Sequence, residues 1–226
     1  MSSTIEPVPI CQADPDTFWP WLTWAEFSRL DKKEDVLVVV PIAGYCDWGL
    51  GHALDAEESV LMPILAEASR LRAPQVRLLV IPPLRFVAGP GPRSAFAVDA
   101  PTTHAFLADV CASVQAAGFS RVVFFNASPW NEEIVDAAAR DLRIDRGLQM
   151  FCVNLSALGL DFRADRGGDR AKLRRLLDEL HPSGSASGEG AAVLAEAARH
   201  LASLFSEIAA RPPLPNGGRL ISPMQP

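Results

Sequence analysis

A single α/β domain, with a mostly parallel central sheet and helices on both faces, is what this amino-acid sequence calls for, on three observations. Short β-branched runs alternate with longer segments of helical period, as they do in βαβ units. The strand-like runs are almost continuously apolar, which suits strands covered on both faces. And 226 residues, 49% of them apolar and 21% charged, suffice for one sizeable core and are too apolar for long disorder.

Taken in order, the strand-like runs are DVLVVVPI (residues 35–42), VRLLVIP (76–82), RVVFFN (121–126) and LQMFCVN (148–154). Between them the spacing predicts helices over residues 55–71, 102–117 and 131–142. Thr102, after Pro101, is placed to cap the second, and Gly118 to end it. Residues 169–180 and 188–210 have helical apolar spacing, separated by HPSGSASG, which reads as a surface turn. The domain is expected to span residues 1–210. RPPLPNGGRLISPMQP, residues 211–226, carries too much Pro and Gly for regular structure and reads as a tail, free or packed on a partner subunit.

Composition narrows the partners. Twenty-one basic against 27 acidic residues give a net charge of -6 with no extended Lys/Arg block, so no nucleic acid is expected. The most apolar stretch, from Val36 to Ile42, is far shorter than the roughly 20 residues a bilayer span needs. MSSTIEPVP lacks the regions of a signal peptide, so a cytoplasmic protein without membrane association is expected. Cys11, Cys46, Cys111 and Cys152 form no CxxC pair and are expected as reduced thiols.

Ligands of an open parallel sheet bind outside the carboxyl ends of its strands. Two segments lie there: PIAGYCDWGLGHALDAE (residues 41–57) after the first strand, and NASPWN (126–131) after the third. In order and spacing they resemble the creatininase family of amidohydrolases, which carries P-x-G-S-x-E-Q-H-G-P-H-L-P-L-x-T-D after its first strand and N-G-H-x-x-N after a later one. LTWAE (22–26), IPPL (81–84), AAGFSRVV (116–123) and ASGEG (186–190) are similar to further family signatures in the same order.

That resemblance implies two adjacent divalent metals, zinc or manganese, activating water against the C–N bond of a cyclic amide. It also implies where their ligands would fall. The Glu of E-Q-H-G falls on Cys46 and the His on Trp48. The closing Asp falls on Glu57, the His of N-G-H on Ser128, and the position two residues beyond it on Trp130. The family segment H-A-G-E-x-E-T-S, which supplies a late Glu, has no counterpart before the last helix; His181 and Glu189 stand at other spacings. The chain is therefore expected to be a member whose dinuclear site is largely lost, with no cofactor.

Several readings of the remaining polar residues stand side by side. Cys46, Asp47, His52 and Glu57 could form a single zinc or manganese site, or Asp55, Glu57 and Glu58 could simply decorate the first turn of a helix. Cys46 could be a nucleophile activated by His52 or His104, or a buried thiol. Trp48 and Trp130 could fill the cavity the metals need. They could instead sandwich a planar small-molecule ligand that Asp47 or Asn126 orients, with Ser128 and Asn131 beside it. Asn126 and Asn131, matching the family's two asparagines, would keep the turn. In function, a ligand-binding or partner-binding subunit, homo-oligomeric or assembled with a related intact chain, stands against a hydrolase of a small cyclic amide or formamide-like substrate.

Overall fold

The structure, a computed structural model, describes residues 13–89, 91, 93–163, 169–180 and 188–212. Cys11, His181, the expected turn through residues 181–187 and the tail beyond Pro212 lie outside the described residues.

A short helix, α1 (Trp24–Arg29), opens the fold on a capping box: the Thr23 hydroxyl accepts from the Glu26 N–H, and the Glu26 carboxylate accepts from the Thr23 N–H at 2.8 Å. Then follow β1 (Leu37–Ala43), β2 (Tyr45–Cys46), α2 (Ala56–Leu71) and β3 (Leu78–Val80). Four two-residue strands come next, β4 (Leu84–Arg85), β5 (Val87–Ala88), β6 (Ser94–Ala95) and β7 (Ala97–Val98). The chain continues through α3 (Ala100–Ala116), β8 (Arg121–Asn126), α4 (Glu132–Arg146), β9 (Gln149–Asn154), α5 (Asp169–Leu180) and α6 (Glu189–Ala209).

The central sheet runs β3-β1-β8-β9, with β4 prolonging the β3 side against the end of β1, and all its pairings are parallel. Side chains alternate between faces with period two. Leu37, Val39, Val123 and Phe125 pack toward Leu61, Leu177 and Leu201 of α2, α5 and α6. Val38, Val40, Val122 and Phe124 pack toward Leu107 and Val135 of α3 and α4. β1 is buried along its whole length, which is why it reads as an unbroken apolar run.

Two expected boundaries are corrected. Thr102 does not cap α3: the Asp99 carboxylate accepts from the Thr102 N–H at 2.7 Å, and Pro101 sits inside the first turn, where a missing N–H costs nothing. Gly118, with φ 98°, does end it. Its N–H reaches the Gln115 carbonyl while that of Phe119 reaches Val114, the double bond of a Schellman turn. Helix α4 runs on past the expected end to Arg146, where Gly147 at φ 65° stops it.

Two packing details recur below. Gly190 lets α6 lie directly on α5: a Cβ there would collide with the Arg175 carbonyl and the Glu179 Cβ. Arg121, 2% exposed at the start of β8, donates from its guanidinium to Gln149 Oε1 at 3.0 Å and to the carbonyls of Ile208 and Arg211 at 2.6 and 2.8 Å. Among the described residues no helix is long and apolar enough to cross a membrane.

Candidate functional site

At the carboxyl end of β1 the chain turns at Gly44, makes the short strand β2 against β6, loops through Gly49 and Gly51 at positive φ, and enters α2. That path returns Glu57, in the first turn of α2, beneath the end of β1. Glu57 is 0% exposed and so is no part of a solvated first turn, as one expectation had it. Its neighbour Glu58 is held by Arg85 at 2.6 and 2.8 Å.

The Glu57 carboxylate is enclosed by donors. The Gly44 N–H donates to Oε2 at 2.5 Å, and Trp48 Nε1–H donates to Oε1 at 3.0 Å. Burial pushes the Glu57 pKa up; the Gly44 and Trp48 bonds, then the neighbouring Ser128 and Cys46 side chains, pull against that rise. The Ser128 hydroxyl is buried beside it but meets no partner in hydrogen-bonding geometry. Gly44 is a close-approach glycine: a Cβ there would lie 2.6 Å from Val87 Cγ2 and 3.1 Å from Glu57 Oε2.

Cys46 is 2% exposed. Burial, and after it the Glu57 charge, push its thiol up to about 12, against a smaller pull from the Trp130 side chain. Such a thiol keeps its proton at neutral pH and is a poor nucleophile. Cys46 in the native protein is expected to resist iodoacetamide at pH 8 and to react fully in denaturant, as peptide mass mapping would show. Rapid native labelling at Cys46 would restore the nucleophile reading.

The two indoles lie nearly parallel, ring centroids 6.2 Å apart at 19°, and Trp48 also packs on Phe162 at 5.3 Å. A ring sandwiched between them would need about 7 Å between planes, so the stack leaves no gap for a ligand. Trp130 remains 41% exposed on its outer side and packs close to Gly91. There a cleft of about 360 Å³ is lined by Trp48, Pro129, Trp130, Glu132, Glu133 and Arg163. Arg163 is matched by Asp161 at 2.7 Å and Glu132 at 2.9 Å, and Asp161 in particular holds it firmly protonated. Arg170 of α5 donates to the Trp48 carbonyl at 2.6 Å, fixing the loop from the other side.

The two asparagines shape the walls. Asn126 binds Ser128 through both its amide oxygen, at 3.2 Å from the N–H, and its amide nitrogen, at 2.8 Å from the carbonyl, and also donates to Asn154. Asn131 donates to the Phe86 carbonyl at 2.9 Å and accepts from the Ala88 N–H at 2.7 Å, tying the loop of β4 and β5 to the start of α4.

The structure thus brings Cys46, Trp48, Glu57, Ser128 and Trp130 together. Asp47 is exposed; its carboxylate accepts from the Gly49 N–H at 2.8 Å and faces Arg93 at 3.5 Å. His52 pairs with Asp178 of α5 at 3.2 Å, and His104 with Asp141 of α4 at 2.9 Å. Sequence reasoning missed Gly44, Phe162 and the Arg163 cluster. Only Gly44, next to a strand end, carried a local signal.

For the two metals that the resemblance implies, these side chains do not fit. Of the five positions that the resemblance assigns to ligands, Trp48 and Trp130 carry indoles with no lone pair to give and Ser128 only a neutral hydroxyl, which leaves the buried Glu57 and Cys46 as the ligand types there. Among the described residues no three His, Cys, Asp or Glu side chains converge to hold a metal ion.

Comparison with known proteins agrees with this architecture. A sequence model of a family described as Creatininase, Creatinine amidohydrolase, matches residues 21–175. A solved structure from Bacteroides fragilis, whose name assigns it to the creatinine amidohydrolases, superposes with a TM-score of 0.70 at 16% identity, covering 88% of this chain and 98% of its own. A structure described as "Creatininase Mn" gives 0.66 at 14% identity, covering 86% and 99%. A mutant creatininase of Zn-Zn type gives 0.66 at 16%, covering 86% and 98%. At such identities the structures speak to the fold alone. No curated protein matches the sequence.

Proposed function

Because the chain belongs to the creatininase family, we propose that it is a member without the dinuclear metal chemistry, acting as a ligand-binding or partner-binding subunit. One observation supports this reading: Trp48, at the position where the family resemblance implies a histidine ligand, donates its Nε1–H to the buried Glu57 carboxylate. An indole N–H donates and has no lone pair to give, so Trp48 fills a ligand position with a group that cannot hold a cation. Trp130, stacked on Trp48 with centroids 6.2 Å apart, and the buried Cys46 stand at two further ligand positions.

The protein purified from zinc- and manganese-supplemented medium is expected to hold less than stoichiometric metal by elemental analysis, and its thermal midpoint to be indifferent to chelator. Stoichiometric zinc or manganese, lost in Glu57→Ala and Cys46→Ala, would overturn the reading. That result would favour the alternative, an amidohydrolase acting on a small cyclic amide or formamide-like substrate through a single metal or Cys46. A partner-binding role further expects a homo-oligomer, or a hetero-oligomer with a related chain. Native mass spectrometry of the complex drawn from its own host would check it: a lone, ligand-free monomer counts against it.

A further inference from the structure

Away from the indole pair, a second cavity opens on the other flank of β4. It encloses about 410 Å³, within the range of small-molecule sites, and its walls include Leu84, Phe86, Val98, Thr102, Thr103 and Phe106. Phe106 stands at its mouth, 45% exposed, with its ring edge-on to the buried Phe86 at 6.3 Å and 86°. Among the described lining residues the one cation, Arg85, is matched by both oxygens of Glu58, so these residues give the cavity no net charge.

Its polar feature is Thr103, in the first turn of α3. The residue is 1% exposed, and its hydroxyl is buried without a hydrogen-bond partner. Thr102 beside it differs, since its side chain is bonded to Asp99. A buried hydroxyl left unpaired is costly, and native proteins keep few of them. Threonine in a helix divides between two χ1 rotamers. A turn about χ1 carries the hydroxyl to a neighbouring staggered position, and here it gives up no bond by turning toward the cavity.

We infer that this cavity is a binding site for a small neutral aromatic molecule carrying one hydroxyl, a phenol-class ligand. Its ring lies against Phe86 and Phe106, completing their edge-to-face set. Its oxygen pairs with the Thr103 hydroxyl, which serves as donor or acceptor. The inference does not depend on the reading of the metal centre. The two sites do share the loop of β4 and β5, since the Phe86 carbonyl accepts from Asn131.

The test compares p-cresol with toluene, which differ by the hydroxyl alone, titrated into the full chain and followed by chemical shifts and by the rise in thermal midpoint. Wild type is expected to bind p-cresol roughly 2- to 10-fold more tightly, the value of one net hydrogen bond. Thr103→Val should bind both equally while folding at least as stably as wild type; Thr103→Ser should keep the preference. Phe106→Ala should weaken both ligands. Equal binding of the two by wild type overturns the inference. So does a preference that survives in Thr103→Val, or binding indifferent to Phe106→Ala. Should Thr103→Val fail to fold, the Ser and Phe106 variants decide.

Discussion

Replacing Glu57 by alanine is expected to lower stability by about 3–4 kcal/mol, measured by urea unfolding. The carboxylate is the shared acceptor of two N–H groups, from Gly44 and Trp48, and each donor left buried and unpaired costs about 1–3 kcal/mol. Trp48→Phe keeps the ring on Phe162 and Trp130 but removes one donor, so a loss of about 1–2 kcal/mol is expected. The two changes should be markedly less than additive, because they remove the same bond, with a coupling of about 1 kcal/mol or more. Strict additivity would mean that Trp48 and Glu57 do not rely on each other. A metal-binding Glu57 makes the opposite forecast: Trp48→Phe near neutral, and Glu57→Ala costly only when metal is supplied.

Gly190→Ala is the second large effect, expected to cost about 3 kcal/mol by overpacking. The added methyl meets the Arg175 backbone carbonyl and the Glu179 Cβ across the α5–α6 contact. Neither is the far end of a flexible side chain, so the helices themselves must separate. Gly188→Ala, two residues earlier, serves as the control. It lies in open space but at φ 72°, so only the left-handed backbone is penalised, by about 1–2 kcal/mol. If the two variants unfold at the same urea concentration, the helix contact is looser than described.

Most of the scaffold was legible because it rests on strong periodic signals. β1 and β8 are buried on both faces, β9 at the sheet edge only in part, and all three announce themselves as apolar runs, while α2 to α6 follow spacing that needs no tertiary knowledge. What escaped lies where tertiary contacts decide. The pairs β2–β6 and β5–β7 are two residues long, too short for any alternation to show. The cap of α3 went to Asp99 over Thr102 because Pro101 is tolerated within the first turn, a choice that local preference alone leaves open.

In the site, the family resemblance picked out the positions of Cys46, Trp48, Glu57, Ser128 and Trp130. It did not reveal direction. Whether an indole fills space or donates a hydrogen bond depends on a side-chain angle that no residue spacing encodes. The same holds for Asn131, whose role of tying two loops together is visible only once Phe86 and Ala88 are seen beside it. Sequence placed His52 next to Cys46 in a short motif, whereas the turn through Gly49 and Gly51 sends its ring to Asp178 of α5.

Arg121 has a consequence for the order in which the chain can be completed. Its guanidinium is buried at the start of the third major strand, yet its carbonyl partners arrive 87 and 90 residues later, in the last turn of α6 and just beyond it. On a ribosome, where segments emerge in turn, β1, β8 and the Gln149 acceptor are made long before the carbonyls that bind the far end of that guanidinium. Until Ile208 and Arg211 appear, this end of the sheet must stay wet. The molecule therefore closes at its last turn, and a nascent chain halted before Ile208 is one that quality control should find open.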